Sequence, residues 1–244
     1  MRKLACYLVL LPAMLWAADF WEKPFMDWSD KEVRRVLINS PWARQTNTVT
    51  TSARPSSPPA DSPVNGFPGG DGSLIRGPGF GRDGGTAAGP PIAPPDSSFE
   101  QGLPVLIRWQ TALPVRQAQM RAKYGKEAAT APAAKKFLDQ DPTLYVISVA
   151  GIPGALVTLG GTENAKRSIH DQTTLTAKGK PSVHPDAVEF VADGDNMDVL
   201  LAFPKTFPFT LADQEIDLAS HIGTVDVKYR FRLKDMVVHG KLEL

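Results

Sequence analysis

The stretch Val225-Asp226-Val227-Lys228-Tyr229-Arg230-Phe231-Arg232-Leu233-Lys234 alternates apolar and charged residues without a break. Side chains two apart on a strand share a face, so this run predicts a β-strand with one buried and one wet face. The apolar face, led by Tyr229 and Phe231, predicts a contact with the core. The other face places Lys228, Arg230, Arg232 and Lys234 in one row. That row suits a solvated or edge-protecting sheet face, or a docking surface for an anionic envelope polymer or an acidic partner patch. The aromatics point the opposite way, so no stacking platform accompanies the charges, which weakens a sugar or nucleic-acid reading.

Further strands are expected on both sides of this run. Residues 216–219 lead through the His221-Ile222-Gly223 turn into it, and 236–244 predict a final strand. Residues 188–192 and 199–203 flank Asp193-Gly194-Asp195-Asn196 as a hairpin. Residues 173–177, the turn Lys178-Gly179-Lys180 and the chain from Pro181 predict another. The β-branched, apolar run 144–150 suits a central strand, and 156–159 one more. Residues 104–110 predict a strand with Val105, Ile107 and Trp109 on one face. A helix follows over 115–124, with Pro114 in its first turn and Gly125 at its end, then a shorter one over 132–138 closed by Asp141-Pro142. Strands outnumber helices and the turns are short. The expected fold class is therefore α+β, mostly antiparallel sheet or sandwich with a few helices on one side.

The first residues predict an export signal. Arg2 and Lys3 precede an apolar run over 4–16, and Ala17-Ala18 offers small residues for cleavage. The run is shorter than the roughly 20 residues that span a bilayer. Cys6 is the only cysteine and lies inside it, so the mature chain is expected to have no disulfide, thiolate–metal site or cysteine nucleophile. The chain holds 27 basic against 26 acidic residues; without Arg2 and Lys3 the balance is 25 against 26. Near-neutral charge argues against a dedicated nucleic-acid binder. No second apolar run approaches spanning length, and a secreted or periplasmic location is expected.

Residues 19–52 open with Phe20, Trp21, Phe25 and Trp28. Ser29 and Glu32 then have capping-box spacing, and Val33, Val36 and Leu37 form one apolar stripe ending at Ser40-Pro41. Residues 44–51 are rich in threonine and polar on both faces, which predicts an edge strand. Between Thr46 and Ser98 lie ten glycines, ten prolines and seven serines among 53 residues. So little apolar surface predicts a disordered insertion over 53–98, with 19–52 completing the strand-rich domain of 99–244. Gly79-Phe80-Gly81-Arg82-Asp83-Gly84 matches a dinucleotide fingerprint in letters only, because no strand precedes it and no helix follows.

Three blocks carry a resemblance: Trp28-Ser29-Asp30-Lys31-Glu32-Val33 running on to Ser40-Pro41-Trp42-Ala43; Arg108-Trp109-Gln110-Thr111-Ala112-Leu113-Pro114-Val115-Arg116; and Phe231-Arg232-Leu233-Lys234-Asp235-Met236 with Gly240-Lys241-Leu242. Together they resemble a group of uncharacterised exported bacterial proteins with the same layout. The resemblance implies the address and the split domain, and no activity.

Chemistry-bearing residues are sparse. The acidic turn 193–198 departs from a calcium loop, with Asp198 where glycine is needed and Pro204 where the bidentate glutamate belongs. His170, His184, His221 and His239 lack helical metal spacing. Ser168, His170 and Asp171 are adjacent in sequence, whereas a triad is a matter of geometry. There is no nucleophile elbow. No catalytic residue, cofactor or metal is expected. The chain is expected to be an exported, non-catalytic binding or structural module of the bacterial cell envelope, with an unknown envelope protein or an anionic polymer as partner. The alternatives are an exported hydrolase with an unrecognised site, which predicts a histidine and carboxylates converging in a pocket, and an accessory folding or assembly factor for exported proteins working through an open sheet edge.

Overall fold

The structure, a computed structural model, describes residues 19–50 and 102–244. The expected signal at 1–18 and the expected insertion at 53–98 lie outside those residues.

Helix α1 (Asp30–Ile38) begins at the capping box: the Glu32 amide donates to Ser29 Oγ at 3.4 Å, and the Ser29 amide donates to Glu32 Oε2 at 2.8 Å. Lys23 Nζ lies 2.8 Å from Glu32 Oε1 and ties the preceding segment to this cap. Two strands follow, β1 (Asn39–Ser40) and β2 (Ala43–Thr50). Past the undescribed segment come β3 (Leu103–Trp109), α2 (Leu113–Tyr124), α3 (Pro132–Asp139) and β4 (Leu144–Pro153). Helix α2 opens on Pro114 and stops at Gly125, whose φ of +57° suits a residue without a Cβ. Next are α4 (Gly154–Val157), α5 (Thr162–Asp171) and β5 (Thr174–Ala177). The chain ends with β6 (Ala187–Asp193), β7 (Asn196–Pro204), β8 (Glu215–Ile222), β9 (Val225–Arg232), β10 (Val237–Val238) and β11 (Lys241–Leu242).

Every strand pair is antiparallel. The main sheet runs β1-β2-β3-β4-β7-β6, and a second group runs β5-β8-β9. The fold is α+β and mostly antiparallel. Strand β2 belongs to both groups: residues 43–48 pair with β3, while Val49 and Thr50 pair with Asp226 and Val225 of β9. The expectation of an edge strand here is corrected. Among the described residues, Gln45, Thr46, Asn47 and Thr48 pair on one side only, with β3, while Ala43 and Arg44 also pair with β1 and the strand's last two residues carry it to β9.

One face of the main sheet carries Val105, Ile107, Trp109, Ile147, Val149 and Leu201, all buried. It packs on the apolar face of β8–β9, where Ile216, Val227 and Phe231 are buried. The Trp109 ring meets Phe231 edge-on at 5.0 Å and Tyr145 at 5.5 Å. Helices lie on both sides, which corrects the one-sided expectation. The opposite face of the main sheet meets α1 and α2: Arg108 Nε donates to Leu37 O at 2.9 Å, and Gln119 donates to Gln110. Helix α5 instead packs on β6 and β8, with Lys166 Nζ 5.8 Å from the Phe190 ring centre.

Four local expectations change. Residues 154–157 are helical, whereas a strand was expected over 156–159. Strand β5 pairs with β8, and its expected hairpin partner contributes a single bridge, Leu175 with Val183. The C-terminal stretch forms the short β10–β11 hairpin around His239 and Gly240, both at positive φ, the requirement of a type I′ turn. Finally, the alternating strand stops at Arg232, and Leu233–Asp235 form a 3-10 turn. Strand β8 starts at Glu215, the partner of Arg232, so no strand residue remains to pair with Leu233.

Candidate functional site

Lys228, Arg230 and Arg232 share the outer face of β9 and are exposed, while Lys234 lies beyond the strand in the 3-10 turn. The hairpin register sets acids opposite these cations. Asp217 pairs with Arg230, Glu215 with Arg232, Ala219 with Lys228 and His221 with Asp226. Arg230 Nε donates to Asp217 Oδ1 at 2.6 Å, and its Nη1 lies 3.3 Å from Glu215 Oε2. Hydrogen bonding to Asp217, then the charges of Asp217 and Glu215, raise the Arg230 pKa above its ordinary value. Two rungs of this face set an acid on β8 against a base on β9, Lys228 faces Ala219, and with Asp226 the acids balance the bases, so its field at a distance is weak.

A larger feature lies on the face of the main sheet that meets α1 and α2. There α2, α3, β4, β6 and β7 border a groove of about 680 Å3, inside the range of ~300–1,000 Å3 common to ligand pockets. Its apolar surface comes from Val146, Leu200, Val191, Phe137 and Pro142. Val191 is 48% and Phe137 36% exposed, so each presents hydrocarbon to the opening. Register explains the sheet contribution: Val146, Leu200 and Val191 occupy the alternate positions to the core-facing Ile147, Leu201 and Phe190.

The polar part of the groove is held in place from behind. Gln119 on α2 donates to Gln110 Oε1, and Gln110 Nε2 donates to Ser148 Oγ at 2.7 Å. The two amides are thereby oriented along the wall, with Ser148 buried beneath them. Arg116 on α2 is buried, donates to the Phe137 carbonyl on α3, and lies 4.9 Å from the Phe137 ring centre. It fixes one helix to the other and its charge is already engaged. Burial lowers its pKa, opposed by the charges of Asp141 and Glu243.

Asp198 lines the same groove beside a bulge in β4. The register slips between Val149 and Ile152, and Gly151 there has φ +88°. The Gly151 N–H donates to the Asp198 carboxylate, and Asp198 Oδ1 is buried with no hydrogen-bond partner. Desolvation, with a further contribution from Asp193, raises the Asp198 pKa against the Gly151 bond and the charge of Arg108. Burial likewise lowers the pKa of Arg108.

The other sequence candidates are dispersed. Ser168 Oγ accepts from Gln172 Nε2 at 2.8 Å, and His170 Nδ1 faces Asp171 Oδ1 at 2.8 Å on the exposed side of α5. His170 and His184 stack at 6.3 Å. His221 pairs with Asp226 at 2.6 Å, and His239 with Glu22 at 2.8 Å. In the acidic turn, the Asp195 carbonyl accepts from the Gly154 amide at 2.9 Å. Among the described residues no three His, Cys, Asp or Glu side chains are grouped as metal ligands. None of the five surface depressions described is lined by a histidine. No helix of the described residues is long and apolar enough to cross a membrane.

Sequence reasoning missed the groove. Its one readable signal was Asp198, a carboxylate opening the apolar strand run Val199-Leu200-Leu201. Gln110, Gln119 and Ser148 converge through pairings that sequence spacing does not encode. Comparison with protein-family models, with curated proteins and with solved structures gives no match to this chain.

Proposed function

We propose that this protein is an exported, non-catalytic binding module of the bacterial cell envelope, and that it holds its ligand in the groove between α2–α3 and the β4–β7–β6 face. The groove carries this reading: apolar side chains exposed around amides already fixed by hydrogen bonds. Such a wall matches a ligand with an apolar body and amide or hydroxyl groups and no negative charge, because the cation at its edge, Arg116, is engaged by the protein itself while Asp141 and Asp198 also line the wall. The hydrolase alternative predicts a histidine converging with carboxylates, and the lining of this groove has the carboxylates Asp141 and Asp198 without a histidine. The export assignment rests on Arg2, Lys3 and the apolar run over 4–16.

The test is a titration with N-phenyl-1-naphthylamine, a neutral apolar dye. The native protein is expected to bind it saturably with enhanced emission. Leu200→Glu, which places a charge on the groove floor, is expected to abolish binding while the melting transition is kept. Equal binding by both proteins would refute the assignment.

A further inference from the structure

We infer that this protein self-associates through the outer edge of β6, two copies pairing antiparallel about Phe190 so that their main sheets become one. The two ends of the strand path are treated differently. Strand β5 has four residues, and its open side is closed by Val183, whose amide donates to Leu175 O at 3.0 Å and whose carbonyl accepts from Leu175 at 2.8 Å. Strand β6 has seven residues and, among the described residues, pairs only with β7. Edges that must stay single are blunted by charged side chains, lysine above all, by proline, a bulge or shortness; the only charges β6 carries are Glu189 and Asp193. Strand β6 has neither lysine nor proline, and its register with β7 is unbroken from Asp193–Asn196 to Ala187–Ala202. Ala187, Glu189, Val191, Ala192 and Asp193 are all exposed.

The turn fixes which backbone groups are on offer. Gly194 and Asp195 form a two-residue loop with positive φ at the glycine only, the type II′ pattern. Such a loop makes Asp193–Asn196 a hydrogen-bonded pair, and such pairs then alternate along the ladder. Residues 187, 189, 191 and 193 therefore bond to β7. The N–H and C=O groups of Val188, Phe190 and Ala192 face outward.

Charge then selects the register. The strand carries two acids, Glu189 and Asp193. Centring a twofold axis on Glu189 opposes two carboxylates, and centring it on Val191 opposes Glu189 to Asp193. Centring it on Phe190 opposes Glu189 to Val191, Asp193 to Ala187 and Val188 to Ala192, with the two Phe190 rings side by side. Only this long register uses all three outward-facing residues and sets no acid against another. The edge is thus self-complementary, as an isologous twofold contact requires.

The experiment is sedimentation velocity of the protein as purified, over a concentration series, with three variants at exposed alanines. Ala187→Lys meets Asp193 of the second copy twice per dimer and is expected to tighten the dimer roughly 2- to 30-fold, two opposite-charge cross-strand pairs at their usual increment. Ala187→Glu is expected to weaken it by a similar factor. Ala192→Pro removes an outward N–H and no bond to β7, and is expected to leave a folded monomer. A native protein that is monomeric at every concentration overturns the inference. So does a dimer that the Ala187 variants do not shift in opposite directions, since that dimer forms elsewhere or with another register.

Discussion

Gly223 offers a sharp test of how β8–β9 is seated. It lies in the turn joining these strands, at φ +64°, and a Cβ there would overlap the carbonyl oxygen of Leu156 and fall 2.8 Å from its carbonyl carbon. The obstacle is the backbone of α4, which cannot rotate aside. Gly194, in the β6–β7 turn, has nearly the same φ of +61° and nothing within 4 Å of its Cβ position. The two glycines share a conformational requirement and differ in their surroundings. A non-glycine residue held at positive φ costs about 1–3 kcal/mol, and that is the whole expected loss for Gly194→Ala. Gly223→Ala adds the displacement of packed structure, about 1–3 kcal/mol and occasionally more, for a total of about 2–6 kcal/mol. Urea unfolding followed by tryptophan fluorescence suits the comparison, since Trp28, Trp42 and Trp109 are buried. A Gly223→Ala loss no larger than that of Gly194→Ala would refute the close approach of this turn to α4.

Asp198 has a raised pKa, so the folded state holds its proton more tightly than the unfolded chain and ionisation costs stability. That cost is absent below the unfolded value and grows as pH rises through the folded one. Asp198→Asn is expected to raise the melting temperature at pH 7 and leave it unchanged near pH 3; an unchanged melting temperature at pH 7 contradicts this. Glu32 behaves oppositely. Its hydrogen bonds to Lys23 and Ser29 hold its pKa at about 2, so its contribution is full above the ordinary glutamate range and is lost as pH falls toward 2. Glu32→Gln is expected to flatten the acid limb of a stability–pH profile over that window, a change that parallel denaturation curves would reveal. Phe231→Ala removes the ring that meets Trp109 and Tyr229; a loss of about 3–5 kcal/mol is expected, and a loss near zero in urea unfolding would mean the two sheets do not depend on this contact.

The elements legible in the sequence carried their own punctuation. Ser29 and Glu32 marked α1, Pro114 and Gly125 bounded α2, and Gly194 marked the β6–β7 turn. Helix α5 was missed because only Ala165 and Ile169 among its ten residues are buried, a stripe one turn long. The alternation through Lys234 was genuine as a burial pattern, since Leu233 is fully buried. It overstated the strand because pairing stops where β8 begins. The basic row of β9 has its acidic partners on β8. A two-residue turn at Gly223-Thr224 sets Asp217 against Arg230, so the neutralising acids were within reach of a hairpin register argument. The groove was not, because Gln110 and Gln119 meet Leu200 and Asp198 only after β3, β4 and β7 have paired.

If the ligand sits in the groove, the β9 ladder is solvated surface. Amide chemical shifts of the isotope-labelled protein, recorded during a titration with N-acetyl-leucine amide as a neutral amide-bearing probe, compare the two surfaces directly. The expected shifts cluster at Gln110, Gln119, Val146 and Leu200, with Lys228, Arg230, Arg232 and Lys234 unmoved. Shifts gathered on the β9 row, or none in the groove at saturating probe, would contradict binding in the groove.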